Sequence, residues 1–230
     1  MRRLARVAAK KSHVVLYDRR GYGDSQSVGG PYTLRQNIDD LKAIISEVTQ
    51  RLNIPIGQVV LFGHSMGGVF AIGTAAVIAV KGVAIFEMPL SWLPQWPQLI
   101  LGPTETQGAI SPEQFAEDFM RRVAGDQVWE RLPMATRKAR MSEGLALRGE
   151  LLDLRKREPW AFGDIGFPLR IGYGSAAVPH LIEGVKILYQ GVPSSTTICI
   201  AGAEHGAHLS HAREVYDELI RPLVELEPAG

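Results

Sequence analysis

The stretch that decides the fold is Val59-Val60-Leu61-Phe62-Gly63-His64-Ser65-Met66-Gly67-Gly68. An apolar run comes first, a serine between glycines follows, and small or apolar residues continue to Gly73. This order predicts a strand, a sharp corner and a helix, with the serine hydroxyl projecting at the corner. We expect glycine at positions 63 and 67 because a side chain there would collide where the strand meets the helix. The pattern G-x-S-x-G alone is weak evidence for such a corner, and the strand and helix patterns that flank it make the evidence specific.

Apolar runs alternate with helical patterns along most of the chain, as parallel α/β folds require. A capping box at Thr33 and Gln36 begins a helix whose apolar residues recur at steps of three and four. The pattern predicts a mostly parallel sheet with helices on both faces. The predicted strands cover residues 14–17, 59–62, 83–86, 169–173 and 197–200.

The alternation breaks between Pro89 and about Phe167. Within this segment, Ser111 and Gln114 have capping-box spacing and Pro112 occupies the first helical position. A second helical pattern follows between residues 142 and 157. We therefore predict an α/β core formed by residues 1–88 and 168–230, interrupted by a helical cap insertion at residues 89–167.

Composition excludes several classes of protein. The chain has 230 residues, 46% of them hydrophobic, and a formal net charge of +1, so nothing points to nucleic acid. The single cysteine, Cys199, lies in an apolar run and is predicted to be buried, and one cysteine forms no intrachain disulfide. The longest apolar stretch, residues 69–80, is too short to span a bilayer. We expect a cytoplasmic protein with a small-molecule substrate, and the sequence predicts no oligomeric state.

Three segments in register resemble the α/β-hydrolase superfamily, and the resemblance covers nearly all of the chain. Residues 17–25 are similar to the family's strand and loop upstream of the serine corner, and residues 63–68 match its esterase-like corner. Residues 202–209 resemble the loop that carries the catalytic histidine after the last strand. The resemblance implies an α/β-hydrolase fold and a cofactor-free serine hydrolase.

The resemblance assigns roles to three residues. Ser65 would be the nucleophile, which requires a base within hydrogen-bond reach. His205 would accept its proton and return it to the leaving group. The backbone N–H of Met66 would stabilise the oxyanion. An alternative interpretation is a metal site formed by His205, His208 and His211. We predict no metal, because no cysteine cluster or second carboxylate accompanies these histidines. For His64, the sequence leaves both simple packing and a catalytic role open.

The acid is where the sequence departs from the family pattern. The family places it three residues after the glycine that ends the penultimate strand, and Ala177 occupies that position here. We predict that Glu87 takes its place, at the end of the strand that follows the serine helix. A structural glutamate at that position is the alternative. Glu204 is adjacent to His205 and badly placed to reach its ring, and residues 164 and 183 are weaker candidates.

The predicted function is hydrolysis of a small or medium apolar ester through an acyl-enzyme. An acyltransferase or a perhydrolase would use the same site. A non-catalytic ligand-binding protein on this scaffold is a further alternative, favoured by the empty acid position and opposed by the pair Ser65 and His205.

The segment before Val14 is short for this family. Relatives have several strands and a His-Gly loop there, and that loop donates the second oxyanion N–H. About a dozen residues precede Val14 here. We therefore expect an N-terminally truncated form of a longer hydrolase, with an exposed sheet edge prone to aggregation.

Overall fold

Residues 1–97 and 110–227 are described by the computed structural model. They fall into two units. The first contains the described residues of Met1–Tyr17, Ile38–Leu90 and Pro159–Gly230, and the second contains those of Asp18–Asn37 and Ser91–Glu158. The strands are β1 (Val60–His64), β2 (Gly82–Phe86), β3 (Leu169–Gly174) and β4 (Thr196–Ile200). The helices are α1 (Arg2–Ala8), α2 (Leu34–Leu52), α3 (Met66–Ala75), α4 (Pro112–Ala124), α5 (Asp126–Arg131), α6 (Met134–Ser142), α7 (Gly144–Lys156), α8 (Pro179–Gly191), α9 (Ala207–Ser210), α10 (Ala212–Glu214) and α11 (Arg221–Val224), with a π-helical segment (Val215–Ile220) before α11.

The first unit contains a four-stranded parallel sheet in the order β1-β2-β3-β4. Its register pairs His64 with Phe86, and Phe86 with Gly172. Because parallel strands end at the same edge, this register brings the residues that follow β1, β2 and β3 together. The α/β fold predicted from the sequence is confirmed.

Helices cover both faces of this sheet. Ala84 and Phe86 of β2 pack against Leu4 of α1 and Leu219 of the π-helical segment in one buried cluster. Alternate residues of a strand face opposite sides of the sheet, so the equally buried Val83 and Ile85 of β2 lie on the other face. There α3 contacts β1 and β2, and α8 contacts β3 and β4. In the described parts of the chain, every helix is too short or too polar to cross a lipid bilayer.

Two sequence predictions about burial are wrong. Residues 14–17 are not a strand: Val15 and Leu16 are 50% and 51% exposed, and the segment joins no ladder among the described residues. An apolar run becomes a buried strand only where neighbouring strands pair with it, and here β1 stands at the sheet's edge. Cys199 is exposed because it lies on β4, the opposite edge strand of the described sheet.

The predicted helix starts are confirmed. The N–H of Gln36 donates to the hydroxyl oxygen of Thr33 at 3.2 Å, and α2 begins at the next residue after Thr33. The N–H of Gln114 donates to the hydroxyl oxygen of Ser111, also at 3.2 Å, with proline at the first position of α4. Such caps satisfy N–H groups that lack a partner within the helix.

A buried carboxylate organises the second unit. Glu150 of α7 is 0% exposed and accepts two hydrogen bonds from Arg19, at 2.9 and 3.1 Å. It also accepts from the Tyr22 hydroxyl at 2.6 Å and from the Asn37 side chain at 3.0 Å. A second contact joins the same loop to the start of α7, where the N–H of Gly23 donates to a carboxylate oxygen of Glu143. The loop of residues 19–23 is therefore joined to α7 by a hydrogen-bond network in which each carboxylate oxygen of Glu150 accepts from more than one donor.

We predict that Glu150→Ala lowers the free energy of unfolding by about 3–5 kcal/mol, because it removes the shared acceptor of the half-buried Arg19 guanidinium and the buried Asn37 amide. Chemical denaturation followed by circular dichroism measures the change. Glu47→Ala is the control: its ion pair with Arg51 is exposed, and its loss should cost about 0–1 kcal/mol. Equal effects of the two substitutions would contradict a stabilising role for the buried network.

Candidate active site

Ser65 stands at a strained corner between β1 and α3. Its backbone has φ 54° and ψ −131°, a conformation that non-glycine residues rarely adopt. The corner is held by two hydrogen bonds, from the Ser65 N–H to the carbonyl of Phe86 and from the Gly68 N–H to the carbonyl of Ser65. The N–H of Met66 lies in the first turn of α3, where helical N–H groups have no partner within the helix.

The glycines at this corner have different functions. A side chain at Gly63 would collide with the backbone of Gly67 and Gly68, as predicted. At Gly67 the space is open, so the prediction that it permits close approach is wrong. Gly68 does so instead: a Cβ there would lie 3.0 Å from the side chain of Met88. The close approach of α3 to the segment after β2 therefore depends on Gly68, one position further along α3 than predicted.

Glu87 and His205 are in direct polar contact at this edge of the sheet. Nδ1 of His205 lies 2.7 Å from Oε2 of Glu87, whose side chain is completely buried. The other carboxylate oxygen accepts from the N–H of Gly174 at 2.9 Å. Glu87 has φ 48°, so it leaves β2 through the same left-handed region that Ser65 adopts after β1. The structure therefore joins the predicted acid to the predicted base.

The remaining acid candidates have other surroundings. Glu183 is exposed and pairs with Lys186 at 3.1 Å. Asp164 accepts from the N–H of Ala161 at 2.9 Å. Glu204 is exposed. The last residue of β3, Gly174, supplies a backbone N–H to Glu87, and the segment after it supplies no carboxylate.

The loop that carries His205 is anchored to the loop after β3. The N–H of Gly202 donates to the Ser175 hydroxyl at 2.8 Å, and the N–H of Ala176 donates to the carbonyl of Ala203 at 3.0 Å. Gly202 has φ 70°, which favours glycine. These contacts hold the start of the loop beside the end of β3.

The contact between Ser65 and His205 is indirect. No hydrogen bond joins the two side chains within the described residues, and unliganded active sites often lack this bond until a substrate binds. Instead His64, the residue before the serine, places Nε2 2.6 Å from the backbone oxygen of His205. The ring centroids of these histidines are 4.5 Å apart. The sequence left the role of His64 open, and its position beside the serine was the only signal for it.

Further histidines lie near this pair. The ring of His208 is 4.4 Å from that of His64. Burial lowers the pKa of His208 to about 4 and lowers the pKa of His64 well below its usual value. Burial, with a smaller effect of His205, also lowers the pKa of His180 at the start of α8. His211 has a different partner, the Ser210 hydroxyl at 2.9 Å. The imidazole of His64, packed on His205, and that of His208, packed on His64, are therefore held in the neutral form.

A comparison with protein families matches a model described as the alpha/beta hydrolase family to residues 1–218. No curated protein matches the chain. Solved structures with a similar fold include a thermophilic esterase from Thermogutta terrifontis (18% identity, covering 96% of this chain and 82% of that chain, TM-score 0.68). Others are a bromoperoxidase from Bacillus anthracis (19%, 91% and 80%, TM-score 0.66) and an alpha/beta hydrolase from Sphaerobacter thermophilus (23%, 86% and 78%, TM-score 0.63).

At these identities the solved structures establish the fold alone. The family model supports a hydrolase and spans the serine corner, the buried glutamate and the histidine loop. With that match over nearly its whole length, and a parallel sheet whose strands end at these residues, the chain belongs to the alpha/beta hydrolase family.

Proposed function

We propose that the chain is a serine hydrolase that cleaves a small or medium apolar ester. The observation that carries this proposal is the hydrogen bond from His205 to the buried carboxylate of Glu87, which directly follows β2, while Ser65 directly follows the adjacent strand β1. A base held in one orientation by a carboxylate, together with a serine on a strained corner, is what nucleophilic ester hydrolysis requires. A ligand-binding protein would have no use for such a pair.

The first half of the reaction forms an acyl-enzyme. Ser65 Oγ attacks the ester carbonyl carbon while its proton passes to Nε2 of His205. The carbonyl oxygen becomes an oxyanion, which the Met66 N–H stabilises. When the intermediate collapses, the bond to the leaving alkoxide breaks, and the imidazolium of His205 donates its proton to that oxygen.

The second half releases the acid. Water attacks the acyl carbon, His205 accepts a proton from it, and the Ser65 oxygen leaves and regains a proton from the imidazolium. Throughout, Glu87 holds Nδ1–H of the ring and stabilises the positive charge that forms twice in each cycle. No cofactor is needed for any of these steps.

Ser65→Ala and His205→Ala should each abolish turnover of an activated aryl ester and leave the fold intact. The two groups act as one unit, so the losses should be large and far from additive. A fluorophosphonate probe, detected by intact mass and peptide mapping, should label Ser65 in the wild type. Ser194→Ala is the control, because that serine is exposed and lies in the turn before β4. Wild-type turnover by Ser65→Ala would contradict the mechanism, and an unlabelled wild type would favour the ligand-binding alternative.

Glu87→Gln should lower kcat by on the order of a hundredfold or more, with a smaller change in KM. The Gln amide can still accept from Gly174, but its NH₂ group then faces Nδ1–H of His205, and it carries no charge to stabilise the imidazolium. Steady-state kinetics on the same ester measures the effect. Glu204→Gln and Glu183→Gln are matched controls that leave the buried contact untouched. If either control lowers kcat more than Glu87→Gln does, Glu87 is not the acid.

A further inference from the structure

His64 contacts the loop that carries the proposed base at two places. Its Nε2 lies 2.6 Å from the backbone carbonyl oxygen of His205. Its ring packs on the ring of His205 at 4.5 Å and on the ring of His208 at 4.4 Å. Neither contact involves Nδ1 of His205, which is bonded to Glu87. His64 and Glu87 therefore hold different parts of the same residue.

The hydrogen bond fixes which nitrogen of His64 carries its proton. A backbone carbonyl only accepts, so Nε2 of His64 must be the N–H donor. Burial lowers the pKa of this ring well below its usual value, so the ring is neutral near pH 7. A neutral ring is compatible with its neighbour's role, because a second positive charge 4.5 Å away would oppose protonation of His205.

The chain connectivity gives this bond its significance. His64 is the last residue of β1, and the next residue is Ser65. The bond from His64 therefore connects the backbone that carries the nucleophile directly to the backbone that carries the base. The other anchors of the histidine loop, at Gly202 and Ala203, connect it to the end of β3 and not to β1.

We propose that His64 is a positioning residue: its bond to the His205 carbonyl and its packing on the His205 ring set the distance and direction of the imidazole relative to Ser65. The inference rests on the proposed hydrolase function and adds a residue to it. Glu87 then fixes the rotation of the His205 ring, and His64 fixes the position of the His205 backbone from which the ring extends. Small displacements of a catalytic group are costly, since about 1 Å can lower the rate on the order of a hundredfold.

A pair of substitutions separates the hydrogen bond from the packing. His64→Phe keeps an aromatic ring and removes the donor, and His64→Gln keeps an N–H donor of similar reach. We expect His64→Phe to lower kcat on the order of tenfold to a hundredfold with little change in KM, and His64→Gln to recover most of that loss. His13→Gln, at an exposed histidine of the same unit, is the control and should match the wild type. Melting temperatures of all variants show whether the fold is retained.

Two readouts make the outcome decisive. The rate of fluorophosphonate labelling of Ser65 reports the activated nucleophile, and the NMR signal of the His205 Nδ1 proton reports its bond to Glu87 without requiring turnover. Slower labelling and a broadened or lost proton signal in folded His64→Phe, both restored in His64→Gln, would support the proposal. Equal kcat, labelling and proton signal in wild type and His64→Phe would overturn it.

The readouts also distinguish this inference from the proposed function. If the wild type itself is not labelled, the hydrolase proposal fails, and the proton signal still decides whether His64 orders His205. If His64→Phe is destabilised and His64→Gln is equally impaired while folded, His64 acts through packing alone and the positioning role of its hydrogen bond is rejected.

Discussion

The buried carboxylate of Glu87 is the constraint on which the geometry of this sheet edge depends. A carboxylate with no exposure to water must receive hydrogen bonds from the protein, and leaving it without them would cost several kcal/mol. Its two oxygens take donors from different elements, the N–H of Gly174 at the end of β3 and Nδ1 of His205 in the loop after β4. One side chain, directly after β2, therefore holds the end of β3 and the loop after β4 in place.

A positive φ angle occurs twice at the same edge. Ser65 follows β1 and Glu87 follows β2, and both have φ near +50°. The register pairs the preceding residues, His64 and Phe86, so the two strained residues are successive members of one row. Each donates its N–H to the next strand, to Phe86 and to Gly172 respectively. The chain thus leaves two adjacent strands through residues of positive φ and presents two polar side chains at one edge.

Local patterns in the sequence predicted the features that depend on local physics. The serine corner, the cap of α2 at Thr33 and the cap of α4 at Ser111 are each specified within a few residues, and each is found. Burial is different, because it requires partners elsewhere in the chain. Residues 14–17 and Cys199 have apolar neighbours in the sequence, yet no strand among the described residues covers them.

Contacts between distant residues were predicted only where a resemblance supplied them. The position of Glu87 at a strand end suggested its role, whereas the bond from His64 to a backbone oxygen 141 residues away has no counterpart in any local pattern. The buried Glu150 network was missed for a similar reason. A signal was present: Glu150 lies on the apolar face of α7, three positions after Leu147 and one before Leu151, where an unpaired carboxylate would be unstable.

Burial of the His208 ring makes the stability of the folded state depend on pH. In the unfolded chain histidine has a pKa of about 6.5, whereas burial lowers the pKa of His208 to about 4 and shifts that of His64 in the same direction. Between these values the unfolded chain binds protons that the folded chain does not, so stability rises with pH across that window. The contribution is complete above about pH 6.5 and is lost as the pH falls toward 4. Unfolding in mild acid is thus accompanied by proton uptake at the imidazoles beside His205, and acid lability arises next to the residue proposed to transfer protons.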